Sequence, residues 1–84
     1  PQDTVSRAEF AQMMIKALGI EASNLSKTFK DVDSSHWAFN TIETSKAVGL
    51  ISGYSDNTFR PNSTISKEEM ITILIRANNY IKRT

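Results

Sequence analysis

Three amphipathic stretches, separated by polar and turn-rich segments, run along the 84-residue chain. In the first stretch the apolar side chains recur at helical spacing: Phe10, Met13, Met14, Ala17 and Leu18. This spacing predicts an α-helix over about Ser6–Leu18. Ser6 and Glu9 form the S-x-x-E capping box that favours a helix start, and Gly19 is a typical helix stop.

The second stretch predicts a helix over about His36–Val48. Asp33, Ser34 or Ser35 is expected to cap its first turn, because side chains of these types accept hydrogen bonds from free backbone N–H groups. Gly49 is expected to end it.

The third stretch predicts a helix over Ser66 to about Ile81, with Glu69 completing a second capping box. Its apolar positions fall on two faces, the first with Met70, Ile73, Leu74 and Ala77 and the second with Ile71 and Ile75. A helix that is apolar around much of its circumference is buried on several sides. The sequence therefore predicts that helices of neighbouring repeats or sister chains pack against it, and a homo-oligomer is one way to supply them.

A polar linker and a short anchor connect the first two helices. Residues 21–28 lack periodicity, which indicates a linker. In the following segment, Phe29–Asp33, the side chains of Phe29 and Val32 are expected to be buried. Asp31 and Asp33 suggest calcium, but the further oxygen ligands of an EF-hand loop do not follow, so no metal site and no cofactor is predicted.

Residues 49–61 form a loop rich in turn-forming residues. Gly49 and Gly53 allow positive φ at little cost, and Pro61 disfavours helix before it. Phe59 is expected to be a hydrophobic plug, as is Ile65 just after the loop, and Arg60 is expected to brace the loop. A closely specified loop between two helices is a common place for function.

The chain contains an internal repeat. Residues 4–10 align without a gap with residues 64–70, which places Thr4 opposite Thr64 and Arg7 opposite Lys67. We therefore expect residues 1–20 to be the second half of one repeat, residues 21–28 a linker and residues 29–84 a complete repeat. On this interpretation the chain begins partway through a repeat and was trimmed from a longer polypeptide.

Composition excludes several functions. Ten basic and nine acidic residues give a net charge of +1, without the basic stripe that nucleic-acid binding needs. The chain has no cysteine and no apolar run near the ~20 residues of a membrane span. His36 is the only histidine and no nucleophile or phosphate motif is present, so the chain is not expected to be an enzyme.

Several motifs in fixed order resemble the S-layer homology (SLH) domain: Phe29-Lys-Asp-Val-Asp33, His36-Trp-Ala38, residues 49–62 and Ile65-Ser-Lys-Glu-Glu69. The resemblance implies an all-α fold of tandem helix-loop-helix repeats, usually three, packed as a pseudo-threefold helical bundle. It also implies non-covalent binding to secondary cell-wall polysaccharides, commonly pyruvylated, and a location on the bacterial cell surface. The alternative is a structural self-assembly module that associates with proteins and binds no glycan.

The resemblance also implies a basic site residue. In the family, the basic residue of a Thr-Arg-Ala-Glu motif contacts the acid group of the ligand, and here Arg7 and Lys67 stand at that place. A cation at a helix start lies beside unpaired backbone N–H groups and the positive end of the helix dipole, so an anion is attracted twice. The alternative is that Arg7 and Lys67 are solvated or pair with Glu9 or Glu68.

Four further residues are candidate glycan contacts. Trp37 can stack on a sugar ring, although a lone tryptophan at a helix start more often belongs to the core. Gly53, Tyr54 and Asp56 can bring loop backbone, an aromatic ring and a carboxylate to sugar hydroxyls, or can simply form the turn. Asn57 stands where the family often has glycine.

Overall fold

The computed structural model describes residues 4–83. It contains three helices, α1 (Arg7–Ala17), α2 (Phe39–Ala47) and α3 (Lys67–Arg83), and no strand in this part of the chain. An isolated antiparallel bridge joins Ser6 to Thr64. The all-α prediction is confirmed.

The predicted capping boxes fix two helix starts. The Ser6 hydroxyl accepts from the Glu9 N–H at 3.0 Å, and the Glu9 carboxylate accepts from the Ser6 N–H at 2.9 Å. Ser66 and Glu69 make the same pair of bonds before α3, at 3.1 and 3.0 Å. Each box satisfies two backbone donors that a helix start leaves free.

The predicted start of α2 is wrong. The helix begins at Phe39 rather than His36. Its N-cap residue is Ala38, and no side chain caps the helix. Turns occupy the preceding residues, because the His36 N–H donates to the Asp33 carbonyl and the Phe39 N–H donates to the His36 carbonyl. The His36 Nδ1 accepts from the Ala38 N–H at 3.0 Å, so this ring orders the turn just before the helix and does not cap its free N–H groups.

The core lies where α1 packs on α2 and both meet the two connecting segments. Phe29, Val32, Phe59 and Ile65 are all buried, as predicted. The rings of Phe29 and Phe59 meet at 5.3 Å between centroids, in a tilted arrangement. The buried side chain of Phe59 therefore anchors the 49–61 loop to the core.

The start of α1 is hydrogen-bonded to the residues that lead into α3. The Arg7 N–H donates to the Ser63 carbonyl at 2.9 Å, and the Ala8 N–H donates to the Pro61 carbonyl at 3.1 Å. Val5 accepts from the Ile65 N–H at 2.9 Å. These bonds seat the start of α1 on the residues before α3 and turn the side chain of Arg7 towards the 49–61 loop.

Several apolar side chains of α3 are exposed in the described part of the chain. Ile73 and Ala77 are buried, but Leu74, predicted to share their face, is 53% exposed. Ile71 and Ile75 are exposed as well. Coverage of these side chains by helices of neighbouring repeats or sister chains stays a prediction, because α3 meets the rest of the described chain only along the narrower stripe of Ile73 and Ala77.

Candidate functional site

The side chain of Arg7 joins the two halves of the chain. Its Nε donates to the Phe59 carbonyl at 2.7 Å, its Nη2 to the Ser52 carbonyl at 3.3 Å and its Nη1 to the Glu69 carboxylate at 2.6 Å. The guanidinium carbon lies 4.7 Å from the centroid of the Tyr54 ring. The side chain is only 4% exposed, and its ion-pair partner is Glu69 rather than Glu9 or Glu68.

Glu69 is the second centre of this network. Besides capping α3 and pairing with Arg7, it accepts a hydrogen bond from the Tyr54 hydroxyl at 2.9 Å. Burial alone would raise the pKa of the Glu69 carboxyl, but hydrogen bonds from Ser66 and Tyr54 stabilise its charged form. With the charge of Arg7 they hold the pKa below its ordinary value. Burial, and next the bond to Glu69, raises the pKa of the Tyr54 hydroxyl.

Gly53 is required by close packing. A Cβ at this position would lie 2.7 Å from the Thr58 carbonyl oxygen and would overlap the Phe29 ring. Its backbone is not at positive φ, in contrast to Gly49, whose φ is +82°. The absent side chain lets the loop backbone approach the aromatic plug, and this leaves the backbone of residues 51–54 as a wall of the site.

Asp56 organises the tip of the loop. Its carboxylate accepts from the Thr58 N–H at 3.1 Å and from the Thr58 hydroxyl at 2.6 Å. The hydroxyl hydrogen bond, more than any other contact, lowers the pKa of the Asp56 carboxyl. Arg60 pairs with Asp56 at 3.5 Å and lies 3.8 Å from the centroid of the Tyr54 ring, so it braces the loop as predicted. Asn57 has a φ of +66°, a left-handed conformation that asparagine adopts more readily than most residues.

The aspartate that suggested calcium anchors the loop. The Asp31 carboxylate accepts from the Phe59 N–H at 2.9 Å and from the Arg60 N–H at 2.8 Å. The second of these bonds holds Arg60 at a φ of +59°, a costly conformation for a residue with a Cβ. Within residues 4–83 no group of three or more metal-ligating side chains comes together.

A cleft of about 220 Å³ opens beside the Arg7 network. The 51–54 segment and the first three turns of α3 line it, with Arg7 at one side. The cleft brings together three of the predicted site residues, Arg7, Gly53 and Tyr54. The other six lining residues were not predicted as site residues, and among them Thr72 and Arg76 lie on one helix face with Glu69.

Three predicted residues lie outside this cleft. Asp56 reaches it only through Arg60, and Lys67 is exposed at the start of α3. Trp37 is 65% exposed, so the interpretation of Trp37 as a core residue is wrong. It lines a separate, shallower groove of about 450 Å³ with Met13 and Gln12. The predicted site residues therefore lie on more than one surface.

The family model of the S-layer homology domain matches residues 28–71. The matched segment holds most of the cleft, from the 49–61 loop to the capping box of α3, and covers just over half of the chain. The chain belongs to the SLH family. No helix in residues 4–83 combines the length and apolar character that crossing a bilayer requires.

Several proteins are similar to this SLH chain. An endoglucanase of Bacillus sp. strain KSM-635 is 35% identical over 82 residues, which are 98% of the chain and 8% of that protein. An amylopullulanase of Thermoanaerobacterium thermosulfurigenes is 43% identical over 77 residues, covering 92% of the chain and 4% of that protein. A cellulosome-anchoring protein of Acetivibrio thermocellus is 36% identical over 77 residues, which are 87% of the chain and 17% of that protein. The chain thus spans less than a fifth of each relative.

Proposed function

We propose that this chain is a non-covalent anchoring module that binds an anionic, pyruvylated secondary cell-wall polysaccharide. In this role the module anchors a longer polypeptide, of which it is a part, to the outer surface of a bacterium. Membership of the SLH family and similarity to a cellulosome-anchoring protein support the anchoring part. The relatives with enzyme names match over only 4–8% of their length, which supports a non-catalytic role for the shared segment.

The observation that carries the glycan proposal is the cleft that the 51–54 segment and α3 form beside Arg7. Its walls combine the groups that a sugar acid requires: an aromatic ring at Tyr54, loop backbone at Gly53, a hydroxyl at Thr72 and guanidinium groups at Arg7 and Arg76. Its volume of about 220 Å³ lies below the ~300–1,000 Å³ of sites for drug-sized ligands, which favours a single sugar unit.

The remaining predicted contacts fit a polymer better than a monosaccharide. Lys67 and Asp56 are exposed outside the cleft, and Trp37 lies on the separate groove. We propose that Trp37 stacks on another sugar unit of the bound polysaccharide, at a distance from the cleft. Lys67 would attract acid groups of the polysaccharide as a point charge.

Binding to isolated walls tests this function. Walls of a bacterium with a pyruvylated secondary polysaccharide are sedimented with the chain, before and after mild acid treatment that removes the ketals. We expect the chain to sediment with untreated walls and to stay in solution after the treatment. Equal binding to both preparations would contradict an anionic ligand.

The exposed apolar face of α3 favours a second candidate, a self-assembly module. Ile71, Leu74 and Ile75 form this face. Sedimentation equilibrium without any wall material tests it: a mass above the 9.4 kDa of one chain that rises with concentration supports association. A mass of one chain at all concentrations, together with ketal-dependent wall binding, favours the anchoring function alone.

A further inference from the structure

The charges that line the cleft do not contribute equally to binding an anion. Three charged side chains line it: Arg7, Glu69 and Arg76. Arg7 and Glu69 form a close ion pair, with Nη1 and Oε2 2.6 Å apart, so their charges largely cancel for an incoming ligand. The uncompensated positive charge of the cleft is therefore that of Arg76.

The guanidinium of Arg7 is also committed geometrically. Each of its three nitrogens donates a hydrogen bond to a protein oxygen, and the side chain is 4% exposed. Two of its five N–H groups remain, but burial of the side chain restricts a ligand's access to them. A ligand carboxylate that reached Arg7 would also lie beside the partly buried carboxylate of Glu69, and repulsion between the two negative charges is unfavourable.

Arg76 has the opposite surroundings. The residue is exposed, and its Nη1 donates to the Leu50 carbonyl at 3.4 Å, a long hydrogen bond. The remaining N–H groups of this planar fork suit a carboxylate. Arg76 can therefore take up a ligand acid group without breaking a strong internal contact.

The position of Arg76 along α3 fits one sugar unit. Glu69, Thr72 and Arg76 follow each other on one helix face, and the offset of seven positions from the first to the last corresponds to a rise of about 10 Å. The ion pair thus closes one end of the cleft and Arg76 lies at the other. A sugar ring between them would have the Thr72 hydroxyl beside it and Arg76 at its acid substituent.

We propose that Arg76 is the residue that selects an acidic over a neutral sugar in this cleft, and that Arg7 positions the cleft wall. This inference rests on the proposed glycan-binding function. It assigns charge selection to a residue in the middle of α3, two turns away from the capping boxes.

The test compares two probes that differ only in charge. They are the methyl glycoside of a 4,6-pyruvate-ketal N-acetylhexosamine and the methyl ester of the same compound, with affinities measured by calorimetry. We expect the unaltered chain to prefer the acid about tenfold or more, the range of one charge-assisted contact. In Arg76→Gln this preference should vanish, with ester binding unchanged and the circular dichroism spectrum retained.

A matched control removes one charge from the same helix outside the cleft. Lys82→Gln should keep the preference for the acid, because it tests net charge alone. The inference is overturned if Arg76→Gln keeps the preference, if Lys82→Gln loses it equally, or if Arg76→Gln loses both probes together. If the unaltered chain binds neither the probes nor the untreated walls, the proposed function itself fails and the inference with it.

Discussion

Arg7 and Lys67 occupy the same position of the repeat but lie in different surroundings. Arg7 is buried between the two halves of the chain, where its hydrogen bonds join residues more than forty positions apart. Lys67 is exposed at the start of α3. A motif that looks the same twice in the sequence therefore supplies one internal tie and one solvated charge.

We expect Arg7→Ala to lower the free energy of unfolding by about 2–4 kcal/mol, because it removes a buried partner of Glu69 and leaves the Phe59 and Ser52 carbonyls without a donor. The aligned variant Lys67→Ala is the control and should change stability by less than about 0.5 kcal/mol. Urea unfolding followed by circular dichroism measures both. Equal effects of the two substitutions would contradict the internal role of Arg7.

The carboxyl of Glu69 gives stability a defined pH dependence. Its pKa in the folded state is below the ordinary value of 4.5, so the unfolded state binds the proton more tightly. The stabilisation is complete above the ordinary value and is lost as the pH falls through the lowered value. We expect Glu69→Gln to make the loss of stability in acid shallower than in the unaltered chain.

Glu68→Gln is the matched control for this experiment, because it neutralises the adjacent, exposed carboxylate. Thermal unfolding of both variants and the unaltered chain across the acid range supplies the comparison. A profile of Glu69→Gln that parallels the unaltered chain would show that the network does not favour the charged carboxylate.

At the level of elements, α2 depends on a side chain outside the helix. The His36 Nδ1 accepts from the N–H of Ala38, which is itself too buried to carry a larger capping side chain. We expect His36→Ala to destabilise the fold by about 1 kcal/mol, the usual net contribution of one hydrogen bond. His36→Asp should retain most of the stability, because aspartate accepts from the N–H two residues on. If both variants unfold alike in urea, the ring contributes by other contacts.

Helices α1 and α3 carry aligned apolar positions with opposite burial. Met14 is 9% exposed and its counterpart Leu74 is 53% exposed. We expect Met14→Glu to destabilise the chain by about 2–4 kcal/mol, because a carboxylate would replace a buried side chain. Leu74→Glu should change stability by less than about 0.5 kcal/mol. Thermal unfolding at low protein concentration separates the two, and a large loss in Leu74→Glu would indicate that this face is covered.

At the level of the whole molecule, we expect residues 4–20 and the rest of the described chain to unfold as one cooperative unit. Three features join residues 4–20 to the rest of the described chain: the ion pair of Arg7 at the cleft, the bridge between Ser6 and Thr64, and the packing of α1 on α2. We expect a single urea transition at which all three helices unfold together. Amide signals of α1 and α3 in NMR should disappear at the same urea concentration. Earlier loss of α1 would contradict this coupling.

The sequence alone determined the features that depend on neighbours along the chain. Both capping boxes, the helix stop at Gly49 and the bounds of α1 to within one residue follow from short-range hydrogen bonding and helical period. The buried anchors Phe29 and Phe59 followed from apolar residues within polar segments. These signals are local, so a single sequence is enough to detect them.

Only the tertiary structure decided which partners the site residues have. It paired Arg7 with Glu69, left Trp37 exposed on another surface and brought Arg76 into the cleft. Each of these outcomes depends on how segments that lie tens of residues apart in the chain pack together. Local pattern fixes where a side chain stands on its helix, but the packing of helices and loops decides what that side chain meets.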